Sequence, residues 1–100
     1  MAVIKQYTTK HAVTAEYWRV DYANADYNKN RYTIQLCLYV DYQNRIDGAN
    51  PILKAYCYLP LNQQEDTLTR ALVYEAIKQA NVFIEGRNVP ALLEGATNLI

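Results

Sequence analysis

The run NRYTIQLCLYVDY, residues 30–42, alternates almost without fault. Tyr32, Ile34, Leu36, Leu38, Val40 and Tyr42 fall on one parity; Arg31, Thr33, Gln35, Cys37, Tyr39 and Asp41 fall on the other. Successive side chains of a strand point to opposite faces, so this pattern predicts a β-strand over 31–42 with one face against a core. Its wetter face still carries Cys37 and Tyr39, in a chain with 10 Tyr in 100 residues. Tyr joins a large apolar ring to a polar tip, which suits half-buried positions and interfaces. Either a second layer of the same domain covers that face, or another molecule does.

The flanking segments extend the pattern. Residues 2–8, AVIKQYT, read as a short edge strand, and TTKHAVT, 8–14, as a loop. In 15–23, AEYWRVDYA, the residues Trp18, Val20 and Tyr22 share one side. NADYNKN, 24–30, is rich in Asn and Asp, which tolerate turn conformations, so it predicts a hairpin connection. QNRIDGANP, 43–51, reads as a loop with Asp47-Gly48 as its turn signal. In 52–59, Leu53, Ala55, Cys57 and Leu59 face one way, and Lys54, Tyr56 and Tyr58 the other. Asn62 and Glu65 have capping-box spacing, and 63–80 turns to the helical period through Leu68, Leu72, Val73, Ala76, Ile77 and Ala80. Glu85-Gly86-Arg87-Asn88 predicts a tight turn in a small hairpin over 82–90. The expected architecture is α+β: a three- to four-stranded antiparallel meander, one amphipathic helix packed on one face, and a short C-terminal hairpin and tail.

The chain has the length of one domain, 1–100, with 82–100 readable as a docking tail because Leu92, Leu93, Leu99 and Ile100 are apolar with no obvious sheet to join. Ten basic and ten acidic residues give no net charge, and Lys and Arg are spread singly. Counterion release then has little to work with, so neither nucleic acid nor an anionic membrane surface is expected as a partner. Net neutrality also removes self-repulsion and permits assembly. The N-terminus has no apolar signal-like stretch, so the chain is expected to stay in the cytoplasm or leave it within a larger assembly.

Candidate chemistry is sparse. Cys37 and Cys57 lack CxxC spacing, and a structural metal site needs about four ligands, so free buried thiols are the expected state; a disulfide stays open if the two strands pair with these residues opposite. His11, the single histidine, lies in a loop with no nucleophile motif near it. Asp21, Asp26, Asp41 and Asp47 are scattered, and no phosphate loop, GxSxG or HExxH occurs. No catalytic, cofactor-binding or metal-binding residue is assigned, no small-molecule substrate is expected, and the chain reads as a non-enzyme. A stacking platform for single-stranded nucleic acid would interleave aromatics with cations. Here Arg19, Arg31 and Lys54 alternate with Asp21, Gln35 and Asp41, which is mixed in sign. Cross-strand aromatic pairing and a protein–protein interface remain as readings of the Tyr set. The candidate interface comprises Tyr17, Arg19, Tyr39, Tyr56, Tyr58, Leu99 and Ile100.

The order of these features resembles a group of small proteins of tailed bacteriophages and prophages. The matching pieces are Tyr17-Trp18-Arg19-Val20, the alternating run 31–42, the loop 45–51, and Glu94-Gly95-Ala96-Thr97-Asn98, together spanning about residues 3–98. Leu93 stands where those proteins carry Phe before the tail motif, and the 82–90 hairpin varies in length among them. The resemblance implies a virion component assembled in the host cytoplasm, first a tail-tip, baseplate or fibre-attachment part, packed against other virion proteins and copies of itself. A head or neck accessory protein, or a small phage-encoded regulatory or host-interaction binding protein, is the alternative.

Overall fold

The computed structural model of the chain describes residues 2–60 and 70–99. Its strands are β1 (Ala2–Thr8), β2 (Thr14–Asp26), β3 (Arg31–Tyr39), β4 (Leu53–Pro60), β5 (Val82–Ile84), β6 (Arg87–Val89) and β7 (Thr97–Leu99). Its helices are α1 (Tyr42–Ile46) and α2 (Arg70–Ile77). The strands form one antiparallel sheet in the order β6-β5-β4-β3-β2-β1-β7, curled into a half-barrel. The expected three- to four-stranded α+β meander is therefore wrong: the molecule is mostly sheet with only small helices. The cause lies in β5, β6 and β7, which are three residues each and too short to show alternation. The 82–90 hairpin does not stand apart but continues the sheet beside β4, with Phe83 opposite Tyr56. The tail adds β7 to the far edge, with Asn98 opposite Val3. The helix expected over 63–80 is an eight-residue α2 among the described residues, which exclude 61–69.

The inner face of the sheet holds the core. Trp18, Ile34, Leu36, Leu38, Cys57, Val82 and Ile84 are each almost fully buried, and α2 adds Val73, Tyr74 and Ile77. Trp18 stacks edge-on to Tyr7 at 6.0 Å, and its indole N–H donates to the Lys5 carbonyl at 2.9 Å, so its polar atom is satisfied inside. Between β6 and β7 the chain must cross the inner side from one sheet edge to the other. That crossing, residues 90–96, buries Leu93 and Ala96 in the core. It is fixed from below by Lys5, whose Nζ donates to the Glu94 carbonyl at 3.0 Å. The apolar tail residue Leu93 thus docks on its own domain.

Curl is set by bulges. The β1–β2 register shifts between Ile4 and Tyr7, and the β2–β3 register shifts between Val20 and Tyr22. A bulge adds one unpaired residue, bends its strand and increases twist. The second bulge also swaps the faces of β2. Val20 lies opposite Leu36 on the inner side, but Tyr22 lies opposite Gln35 on the outer side, and Ala23 opposite Ile34 returns to the inner side. The expectation that Trp18, Val20 and Tyr22 share one side fails for Tyr22 for this reason. Tyr74 of α2 reaches the bulge, where its hydroxyl accepts from the Val20 N–H at 2.9 Å.

The alternating run also ends earlier than its pattern suggests. β3 stops at Tyr39, and Asp41, in extended backbone, caps α1 by accepting from the Asn44 N–H at 2.8 Å. Residues 42–46, expected as strand end and loop, are one short helix.

The two faces differ sharply in what substitution should cost. Leu36→Ala, at a fully buried position in the central strand, should destabilise by about 2–5 kcal/mol, whereas Tyr56→Ser on the outer face should cost about 1 kcal/mol or less. Urea unfolding of the two variants against the parent checks this; equal losses would contradict the assignment of faces.

Candidate protein-interaction surface

The outer face is built by register. Tyr17 lies opposite Tyr39; Arg19, Cys37 and Lys54 form the next row across β2, β3 and β4; Tyr22, Gln35, Tyr56 and Phe83 form the third; Asn24, Thr33 and Tyr58 the fourth. α1 folds over one end and places Tyr42 against Tyr17, ring centroids 5.8 Å apart. Tyr17, Tyr22, Tyr39, Tyr42, Tyr56 and Tyr58 are therefore gathered on one side of the molecule.

Within this face the rings hold one another. Tyr17 meets Tyr39 edge-on at 6.0 Å and is only 5% exposed. Tyr58 meets Phe83 at 5.4 Å, and the Arg31 guanidinium lies 3.8 Å above the Tyr58 ring, well inside the range for a cation–π contact. The Arg45 guanidinium stands 6.0 Å from the Tyr39 ring, at the edge of that range. Arg31 Nε is buried and finds no hydrogen-bond partner among the described residues, so the Tyr58 ring is the contact shown for this cation. Tyr42, Tyr22 and Tyr56 are the exposed rings, at 51%, 37% and 36%.

Of the candidate residues, Tyr17, Arg19, Tyr39, Tyr56 and Tyr58 come together here. Tyr17 is covered by Tyr39 and Tyr42, so it supports the surface instead of presenting it. Leu99 lies in β7 at the sheet edge beyond β1, apart from this group, and Ile100 lies outside the described residues. The candidate interface named from the sequence left out Tyr22, Tyr42, Phe83 and Arg45, and also Arg31, although strand parity puts Arg31 on this face. Asp41 three residues before Asn44 was the available signal for α1, and hence for Tyr42 and Arg45. The bulge that turns Tyr22 outward left no signal in the residue pattern.

The two thiols are placed on opposite faces by strand parity: Cys57 opposite Ile34 inside, Cys37 opposite Arg19 and Lys54 outside. Both are free. Burial pushes Cys57 up to about 12. Cys37 is also raised, first by burial and then by the Asp21 carboxylate, against the opposing pull of Lys54 and Arg19. A raised pKa keeps the thiol protonated and unreactive, so neither is a nucleophile at neutral pH. His11 is exposed in the turn after β1, and among the described residues no group of three or more His, Cys, Asp or Glu comes together to hold a metal.

Compared with protein-family models, curated proteins and solved structures, the chain matches none.

Two expectations follow from the titrating groups. Native protein at pH 8 should leave both thiols unmodified by Ellman's reagent, and both should react once denaturant is added; rapid native reaction of one thiol would contradict the burial of Cys37. The Asp41 carboxyl is held below the ordinary aspartate value by the backbone and side-chain hydrogen bonds of Asn44. Its support of α1 is therefore complete above the unfolded value near 3.8 and is lost as pH falls through the lower folded value. Protection of the Asn44 amide, measured against its intrinsic exchange rate at each pH, should fall over that acid window in the parent. It should not do so in Asp41→Asn, because Asn caps without titrating.

Proposed function

We propose that the chain is a non-enzymatic structural component of a tailed-phage virion, at the tail tip, baseplate or fibre attachment, acting by packing its outer tyrosine face against other protein chains. The setting comes from the sequence resemblance; the mode of action comes from the face. The observation that carries the mode is the grouping of exposed Tyr22, Tyr42 and Tyr56 around half-buried Tyr39 and Tyr58, with Arg19 and Lys54 between them. Tyr and Arg are the residue types that most often anchor protein interfaces. Rings already held by Tyr17, Phe83 and Arg31 lose little side-chain freedom on association, which lowers the entropic cost of binding. A surface repeated on identical copies closes naturally into a symmetric ring.

Light scattering of the purified protein over a range of concentrations should give a defined oligomer, and Tyr39→Ser with Tyr56→Ser should dissolve it without unfolding the domain. Mass spectrometry of purified particles of the encoding phage should find the chain at stoichiometric levels. A strict monomer that is also missing from the particles would end the virion reading.

A further inference from the structure

Away from the tyrosine face, one end of the half-barrel holds a pocket of about 130 Å³. It opens between the 9–13 turn, the start of β4 and the β5–β6 turn. Tyr7, Leu53 and Ile84 give it an apolar floor, and Val13 and Ile52, 43% and 38% exposed, form an apolar lip. That volume is far below the roughly 300 Å³ at which drug-sized ligands begin, and close to the roughly 150 Å³ of a cavity that admits benzene.

The rim is polar and unevenly charged. Lys10, His11, Glu85 and Arg87 line it. Lys10 pairs with Glu85 at 3.3 Å and ties the two turns together. Arg87 has no ion-pair partner among the described residues, so the rim keeps one uncompensated guanidinium above an apolar floor.

Both turns are fixed before any ligand arrives. Thr9 N–H donates to the Val13 carbonyl at 2.8 Å, and Thr9 Oγ1 accepts from the His11 and Val13 N–H groups at 3.3 Å. Glu85 and Gly86 both have positive φ, 52° and 81°, in the tight turn between β5 and β6. Asn is the usual non-glycine residue in such a position. Glu85 accepts the strain there, and its carboxylate is the one that reaches Lys10.

We propose that this pocket binds a small carboxylic acid with a compact, benzene-sized apolar body. The body fills the space over Leu53 and Ile84, and the carboxylate lies at the rim against Arg87, whose fork matches carboxylate geometry. The ligand is held, not transformed. The site is independent of the tyrosine face.

Titration of ¹⁵N-labelled protein with benzoate, followed by amide shifts, tests the assignment. Benzoate should move the amides of residues 9–13 and 84–87 saturably, and should bind about threefold or more tighter than neutral benzamide at low salt. Arg87→Gln should erase that difference. Glu85→Gln should strengthen benzoate binding, because it removes the rim carboxylate and frees Lys10. Equal binding of benzoate and benzamide to the parent, or shifts confined to the tyrosine face, would overturn the proposal. So would binding of an acetylated Phe-Asp peptide where benzoate fails, since the site would then be built for a protein segment. Both substituted residues are exposed, and an unchanged amide spectrum elsewhere shows that the variants are folded.

Discussion

Strand β3 has to be dry on both sides, and the rest of the molecule is arranged around that demand. Ile34, Leu36 and Leu38 are fully buried on the inner side, and Gln35 and Cys37, alternating with them, are 6% and 5% exposed on the outer side. Three strands lie to either side of β3 in the sheet. Inside, a helix and a crossing segment cover it. Outside, no second sheet lies over it among the described residues; the cover there is made of side chains. Small or slender residues of β3 sit in register with long neighbours, Cys37 between Arg19 and Lys54, Gln35 between Tyr22 and Tyr56. Short residues flanked in register by long ones let a face be buried at its middle and still present rings at its surface.

The inner side is closed by parts that are weak alone. Three-residue strands contribute few ladder hydrogen bonds, and α2 is stable only when its apolar side is packed on the sheet. They hold because each is tied at a second point. Tyr74 bonds the bulge of β2, Lys5 holds the Glu94 carbonyl, and Asn98 donates to the Glu75 carboxylate of α2 at 3.4 Å. That carboxylate is itself kept ionised to lower pH by Lys78 and Asn98. The Lys5 and Asn98 contacts are exposed and individually small, and the Tyr74 bond is part-buried; together they set where the buried Val73, Ile77 and Leu93 meet the sheet.

What could be read from the residues was the long-strand part of the fold. In β3 and β4 the alternation is strict: of the residues it places inward, Ile34, Leu36, Leu38, Ala55 and Cys57 are buried, Tyr32, Leu53 and Leu59 are half-buried, and Val40 and Tyr42, beyond the end of β3, are exposed. The same parity, once the register is known, separates Cys37 from Cys57 by a sheet's thickness. Reading failed where the period is interrupted or too short to be a period. An extra residue at position 21 turns Tyr22 outward, and no residue type marks it. Asp41 and Asn44 break a strand that apolar alternation would have carried on to Tyr42. Three-residue strands are placed by tertiary partners, so Phe83 and Asn98 could not be assigned to a sheet from their neighbours in sequence. The tyrosine surface was half visible for the same reason: its members on β3 and β4 were, and those supplied by α1, the bulge and β5 were not.

The pairing of β7 with β1 has a consequence for how the chain is made. Ala2 and Leu99 are partners. β1 is made well before its partner β7, and until residues 97–99 are in place its outer backbone edge stays unpaired. Such long-range closures form late and leave edges open to wrong partners, including a neighbouring nascent copy. The order of synthesis therefore sets a window in which strand exchange competes with correct closure, and the Lys5 contact to Glu94 joins the same two ends of the chain once closure is made.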